Sequence, residues 1–229
     1  MPVTSPVLES LTPSDRALLL QRAVPRTLRR GQSLYLAGES ARRAHIVAAG
    51  VIKLSSRNMQ GRSTILGLAL PGEIVGDVGA LDGRPQPLDA LAATRCEVVG
   101  IAADELMEMI SRSPAAALEL ARTFARSLRC VYGSAAERTT GTCSVRLAGR
   151  LLDLAHELGH ARAWGIELDL PLAQEDLGQL AGMSRESTCK TLRSFKRAGL
   201  LDYRGRRVHI LQPQGLEDIR DAGVTPRRW

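Results

Sequence analysis

Residues 174–199 constrain this chain more than any other stretch. Leu177, Leu180 and Ala181 recur at helical spacing and give a short helix one inner face. Gly182 then permits a sharp turn, Met183 follows, and Ser184 is placed to cap a second helix. In that second helix Thr188, Leu192 and Phe195 follow spacings of four and three, so they face inward. Arg185, Glu186 and Lys190 share the opposite, exposed side near the helix N-terminus.

Charge concentrates in the same place. The chain has 31 Lys and Arg against 24 Asp and Glu, a net +7. From Arg185 to Arg207, eight basic residues (Arg185, Lys190, Arg193, Lys196, Arg197, Arg204, Arg206, Arg207) meet only Glu186 and Asp202, so these 23 residues carry +6. A solvated helix face mixes its signs more evenly, and a clustered basic excess points to nucleic acid. A helix lying in the major groove touches base edges with its N-terminal residues. Arg pairs bidentately with guanine, Glu accepts from cytosine N4, and Lys reaches guanine O6 or N7. Base reading is therefore assigned to Arg185, Glu186 and Lys190. Downstream, residues 200–203 and 208–211 are apolar pieces flanking Arg204-Gly205-Arg206-Arg207, which reads as a β-hairpin with a basic tip, a wing able to touch phosphates. Backbone contacts are expected from Ser184, Ser187, Arg193, Lys196, Arg204, Arg206 and Arg207.

The rest of the chain divides by pattern. After a short helical stretch, Ser14 to Arg22, the first 110 residues hold short apolar runs punctuated by Gly31, Gly38, Gly50, Gly61, Gly72 and Gly83. Examples are Ser33–Leu36, His45–Val47, Gly50–Leu54, Ile65–Leu68 and Cys96–Ile101. Short strands with frequent turns argue for an all-β barrel or roll. From Asp104 to about Arg138 the pattern turns helical, and after Pro114 a stripe appears: Leu118, Ala121, Phe124 or Ala125, Leu128, Val131 or Tyr132, Ala135. Alternating spacings of three and four are what a helix–helix seam requires, so a second copy of the chain is expected there. A hinge is expected near Gly141-Thr142, then a helix from about Val145 to Leu158. The expected domains are a β-roll sensor over 1–110, a dimerisation helix and hinge over 111–141, and a winged helix–turn–helix over 142–229.

This order resembles the Crp–Fnr superfamily of bacterial transcription regulators. Gly182-Met183-Ser184-Arg185-Glu186-Ser187-Thr188 resembles that family's turn and recognition helix, and residues 70–79, LPGEIVGDVG, resemble the signature of cyclic-nucleotide-binding domains. The resemblance runs from about residue 11 to 212 and implies an α+β fold: an N-terminal β-roll, a long dimerisation helix and a C-terminal winged helix–turn–helix. Arg185, Glu186 and Lys190 match the three base-reading positions of the cyclic-AMP receptor branch, which reads a TGTGA-type half-site. Lys190 stands where that branch has Arg, so its guanine is less strictly specified. Gln174 and Ala173 depart from the branch's Arg and Thr, which weakens a cap and one contact. The implied partners are double-stranded DNA, a second copy of the chain, and RNA polymerase.

The implied effector pocket departs further. Cyclic-AMP binders of the family hold the ribose with a Gly–Glu pair and the phosphate with an Arg–Ser pair. Gly76-Asp77 resembles the first pair with a shorter acid, but Gln86-Pro87-Leu88 supplies no Arg–Ser, and Arg84 is displaced by a few residues. Val131-Tyr132 replaces the Thr–Ser pair of the long helix. A phosphate buried without a cationic or hydroxyl partner is costly, so a cyclic nucleotide held in the usual mode is disfavoured and no cofactor is assigned. The pocket residues are then Gly76, Asp77, Val78, Arg84, Val131 and Tyr132. The control is either a different signal at the β-roll or none, with activity set by abundance. The oxygen-sensing branch needs an N-terminal cysteine cluster, and no cysteine precedes Cys96, which disfavours an iron–sulfur centre. His45 reads as an ordinary strand residue, and Cys130 meeting its symmetry mate is the one thiol switch the pattern suggests.

His156-Glu157-Leu158-Gly159-His160 spells H-E-x-x-H, which on a helix would set two zinc ligands on one face. A zinc hydrolase is the rival from another class. It needs a third ligand, which the extended motif puts at 166, where the chain has Ile166; Gly159 also weakens the helix between the histidines. No run of about 18 apolar residues is present, so no membrane partner is expected. The first twelve residues lack a signal-peptide pattern, so the expected location is cytoplasmic.

Overall fold

A computed structural model describes residues 3–58, 63–168, 172–204 and 207–222. The chain forms two compact units, residues 1–129 and 130–229.

The first unit opens with two helices, α1 (Pro6–Glu9) and α2 (Pro13–Arg22). Thr12 starts the second, its hydroxyl accepting from the Asp15 N–H at 3.2 Å. Strands β1 (Val24–Leu28), β2 (Ser33–Tyr35), β3 (Arg43–Ala49), β4 (Ile52–Arg57), β5 (Ser63–Ala69) and β6 (Ile74–Val75) follow. The short helix α3 (Asp77–Asp82), strands β7 (Asp89–Ala92) and β8 (Cys96–Ala102), and helix α4 (Ala103–Arg112) complete the order up to α5 (Pro114–Thr140).

Two antiparallel sheets result, ordered β1-β8-β3-β6 and β2-β7-β4-β5. Leu28, Leu34, Val47, Ile52, Val75, Ala90 and Val98 form the core of this β-roll. Side chains of a strand alternate between faces. On β3, Val47 joins that core while Ala44 and Ile46 join Leu8, Leu19, Ile101, Leu106, Met109, Ala116 and Leu120 in a second cluster beneath the helices. The strand is buried on both faces, which is why it reads as a continuous apolar run. Phe124 of α5 also packs on the second cluster, whereas Ala125 is exposed. Phe124 is thus turned to the second cluster and Ala125 to solvent.

The second unit contains α6 (Cys143–Leu158), strands β9 (Gly159–Arg162) and β10 (Gly165–Leu168), helices α7 (Gln174–Leu180) and α8 (Arg185–Arg197), strands β11 (Leu201–Arg204) and β12 (Arg207–Ile210), and α9 (Pro213–Ala222). Thr142 caps α6 by accepting from the Val145 N–H, so the helix begins two residues before Val145. The strands form one antiparallel sheet in the order β11-β12-β10-β9. Leu147, Leu151, Leu177, Leu192, Phe195, Leu201, Ile210 and Leu216 are buried in this unit. Helix α9 packs on α6, its Leu216 is buried, and it lies beyond the stretch covered by the sequence pattern.

Candidate nucleic-acid interface

Helices α7 and α8 meet as the apolar spacing requires. Leu177, Leu180 and Ala181 are buried, as are Thr188, Leu192 and Phe195. Gly182 makes the turn at φ +62°, a conformation that suits glycine. Ala173 has no side-chain oxygen to cap α7, but its own N–H donates to the Asp176 carboxylate at 3.0 Å, so half of a capping box survives. The start of α8 is better provided: the Ser184 hydroxyl accepts from the Ser187 N–H at 3.2 Å and donates to the Ser187 hydroxyl at 3.0 Å. This cap fixes the first turn of α8, where Arg185 and Glu186 stand.

Arg185, Glu186, Lys190 and Arg193 are exposed, and among the described residues they form no ion pair. Two of the other assigned cations are already engaged. Lys196 Nζ lies 2.6 Å from Asp202, and Arg207 lies 3.1 Å from Glu167, which Arg162 also holds at 2.9 Å. The two arginines hold the Glu167 carboxyl below the usual carboxylate range. These pairs tie α8 to β11 and lace the outer face of the hairpin sheet. The hairpin forms, with Arg204 opposite Arg207 and Tyr203 opposite Val208, so each strand runs one residue further toward the tip than the apolar pieces do. Gly205, Arg206 and the Arg204 side chain lie outside the described residues, as does the Cys130 side chain.

The H-E-x-x-H run does not form the helical arrangement a zinc site needs. Helix α6 ends at Leu158 with Gly159 as its C-cap, and His160 stands on β9 opposite Glu167. The helix therefore breaks between the two histidines. Among the described residues no group of three or more His, Cys, Asp or Glu side chains is placed to hold a metal ion.

In the β-roll, Gly76 takes φ +77° just before α3, and Asp77 is buried. Burial pushes the Asp77 carboxyl up to about 6, with Glu73 adding to the effect. Tyr35 and Gln86 close over Gly76: a methyl group there would stand 3.0 Å from Gln86 Nε2 and 3.2 Å from the Tyr35 ring. Gln86 is 4% exposed, and its amide donates to the Gly76 carbonyl at 3.3 Å. Its backbone N–H donates to Glu39 O, and its carbonyl accepts from the Gly38 N–H, each at 2.8 Å. Asp89 is buried too, accepting from the Ala37 N–H at 2.9 Å with Arg57 3.6 Å away. Val78 and Arg84 are exposed, and Val131 and Tyr132 are exposed on the part of α5 that belongs to the second unit. Residues 86–88 thus supply neither the cation nor the hydroxyl that a buried phosphate needs, and two carboxylates are buried in the same unit. Tyr35 and Asp89 carry no periodic signal as lone polar residues in a strand-rich stretch, and Gln86 stood in the sequence only as the place of a missing Arg–Ser pair. His45 is on β3 as expected, and burial, with the charges of Arg26 and Arg43, holds its imidazole down at about 4.

Residues 25–113 match the cyclic nucleotide-binding domain, and residues 145–219 match the Crp-like helix-turn-helix domain. The transcriptional regulator LdrP of Thermus thermophilus is 32% identical over 195 residues, covering 85% of this chain and 94% of its own. The chain belongs to the Crp–Fnr family of transcription regulators. Another family member, the CRP-like cAMP-activated global transcriptional regulator of Mycobacterium tuberculosis, is 28% identical over 92% of this chain and 94% of its own. Among solved structures, a CRP-family regulator of Thermus thermophilus superposes with a TM-score of 0.73 at 29% identity, covering 86% of this chain and 96% of that one. FixK2 of Bradyrhizobium japonicum shares the fold, with a TM-score of 0.76 at 24% identity over 86% of this chain and 96% of its own. As a Crp–Fnr protein the chain is a transcription regulator with a helix–turn–helix DNA-binding domain, and α7 and α8 are that motif.

Proposed function

We propose that this regulator binds a palindromic TGTGA-like site as a homodimer, reading G·C pairs with Arg185, Glu186 and Lys190. The observation that carries the reading is the capped N-terminus of α8, where these three side chains are exposed and free of ion pairs among the described residues. Ser184, Ser187 and Arg193 adjoin them and serve the phosphates, joined by Lys196, Arg204, Arg206 and Arg207 of the helix end and wing. Residues 111–141 provide the dimer seam. Leu118, Ala121, Ala125, Leu128, Val131 and Tyr132 are all exposed on a helix of 27 residues, an apolar stripe that a second copy would cover. A two-fold dimer then sets two recognition helices about 34 Å apart, one turn of DNA. The regulator works in the cytoplasm, and RNA polymerase is its further partner.

Control through the β-roll does not use cyclic AMP in the manner of the relatives named for it. A buried phosphate would meet Gln86, Pro87 and Leu88 in place of a cation and a hydroxyl. A second reading is favoured by Gln86 itself: its side chain and backbone stitch α3 to the loop at 38–39, so the β-roll is closed from within and DNA binding needs no effector.

The test is equilibrium binding to a labelled TGTGA-N6-TCACA duplex at fixed salt, with and without cyclic AMP. The expected result is tight binding that the nucleotide leaves unchanged. Binding that appears only with cyclic AMP would contradict the pocket reading, and equal affinity for a scrambled duplex would contradict the base-reading assignment. Retention of binding after unfolding, dialysis and refolding would separate the effector-free reading from one that depends on a co-purified signal.

A further inference from the structure

A second group of cations without counter-charge lies far along the chain from the recognition helix. Arg29 and Arg30 stand on the turn between β1 and β2, and Arg95 on the turn between β7 and β8. With Thr27 and Gln32 they line a concavity of about 500 Å³; Glu97 stands across the ladder from Thr27 but forms no ion pair with them among the described residues. All three arginines are exposed, and among the described residues none forms an ion pair. Their neighbour Arg26 is different, because its guanidinium donates to the carbonyls of Leu34 and Ser33 at 3.0 and 3.4 Å.

Both turns are fixed. The Gln32 side chain accepts from the Arg29 N–H at 3.0 Å, the Gln32 N–H donates to Arg29 O at 3.0 Å, and the Gly31 N–H donates to Ala92 O at 2.8 Å. On the other turn, the Thr94 hydroxyl donates to Arg95 O at 3.0 Å and accepts from the Val51 N–H at 2.9 Å. Gly50 packs so closely on the Arg95 carbonyl that a methyl group there would overlap it. The backbones that carry the three guanidiniums are therefore held before any ligand arrives. Like charges gathered in one concavity repel each other, and an anion with several oxygens both removes that repulsion and accepts paired N–H donors. Arginine is the residue whose planar fork matches phosphate oxygens. A volume of this size suits a small polyanion.

We propose that Arg29, Arg30 and Arg95 form a phosphate-binding site on the β-roll, separate from the recognition helix. The phosphates belong either to a free polyphosphate-bearing molecule or to a DNA backbone; the recognition chemistry is the same. The experiment compares the full-length protein with the R29Q/R30Q/R95Q variant. Calorimetric titration with inorganic tripolyphosphate reads the free-ligand source. The dependence of DNA affinity on salt, on a duplex of the two half-sites and on one extended at both ends, reads the DNA source. For a free ligand, tripolyphosphate binds the wild type saturably, and the variant loses about tenfold or more in affinity. For DNA, the salt slope of the variant falls by about two to three on the extended duplex alone. The thermal midpoint is expected to stay unchanged, since the arginines are exposed and unpaired. Tripolyphosphate affinity and salt slopes that are both the same in variant and wild type would overturn the proposal.

Discussion

Gly178 of α7 and Thr188 of α8 lie so close that a methyl group on the glycine would overlap the threonine hydroxyl. That hydroxyl is committed elsewhere, donating to the Ser184 carbonyl at 2.8 Å, and Thr188 is fully buried. The contact sets how near the recognition helix can approach its partner. Gly178→Ala gains up to about 1 kcal/mol of helix propensity but must displace α8, and overpacking of this kind costs about 1–3 kcal/mol. Net destabilisation in urea unfolding and weakened DNA binding are expected, and Thr188→Ala in the same background should restore most of the stability. A more stable Gly178→Ala protein with unchanged DNA affinity would show that the two helices are not held at this contact.

Acidification acts on the β-roll in two opposing ways. The folded-state value of Asp77 is raised from 3.8 to about 6, so the folded chain holds its proton longer than the unfolded one, and stability falls as pH rises across that window. The folded-state value of His45 is lowered from 6.5 to about 4, so the unfolded chain takes up the proton first, and stability rises with pH over nearly the same range. Each contribution is at most roughly 3 kcal/mol. Asp77→Asn should therefore leave a β-roll that loses stability steeply on going from pH 6.5 to 4, and His45→Gln should leave one that gains it. Unfolding midpoints at half-unit pH steps measure this, and parallel profiles for the two variants would refute it.

In the proposed complex Lys190 offers a point charge where a rigid fork would hold guanine O6 and N7 together. Lys190→Arg should sharpen discrimination at that base pair by about 1–3 kcal/mol, read by competition between duplexes that differ there alone. Unchanged discrimination would mean that residue 190 meets a phosphate and not a base.

The ion pairs rank the proposed backbone contacts. Arg193 is exposed and unpaired among the described residues, whereas Lys196 is held by Asp202 and Arg207 by Glu167. Arg193→Ala should lower the salt slope of DNA binding by about one. Lys196→Ala should lower it less, because part of that charge is already neutralised within the protein. Equal reductions would show that the pair with Asp202 opens on binding.

Much of this was legible in the sequence because periodicity reports burial directly. The four- and three-residue spacings of Thr188, Leu192 and Phe195 name side chains that are buried. Gly182 and Ser184 act at the turn and the cap where their chemistry places them, whereas Thr142, read as part of a hinge, caps α6. What stayed hidden depends on contacts between distant residues. The choice between Phe124 and Ala125 needed the cluster beneath the helices on which Phe124 packs. Gln86 reaches Gly76 across the α3 loop, and Lys196 and Arg207 find acids on other strands, none of which a local pattern encodes. The H-E-x-x-H run is the converse case: its spacing is meaningful on a continuous helix, and α6 stops inside it.

The base-reading role of Arg185 is tested most directly by a cycle of two proteins and two duplexes. Wild type and Arg185→Ala are titrated at one salt concentration against the TGTGA palindrome and against the same duplex with one guanine of each half-site replaced. Loss of about 1–3 kcal/mol per half-site on the intact palindrome is expected, with the variant indifferent to the replaced guanine. Equal loss of affinity for both duplexes would contradict the assignment and make Arg185 a phosphate contact.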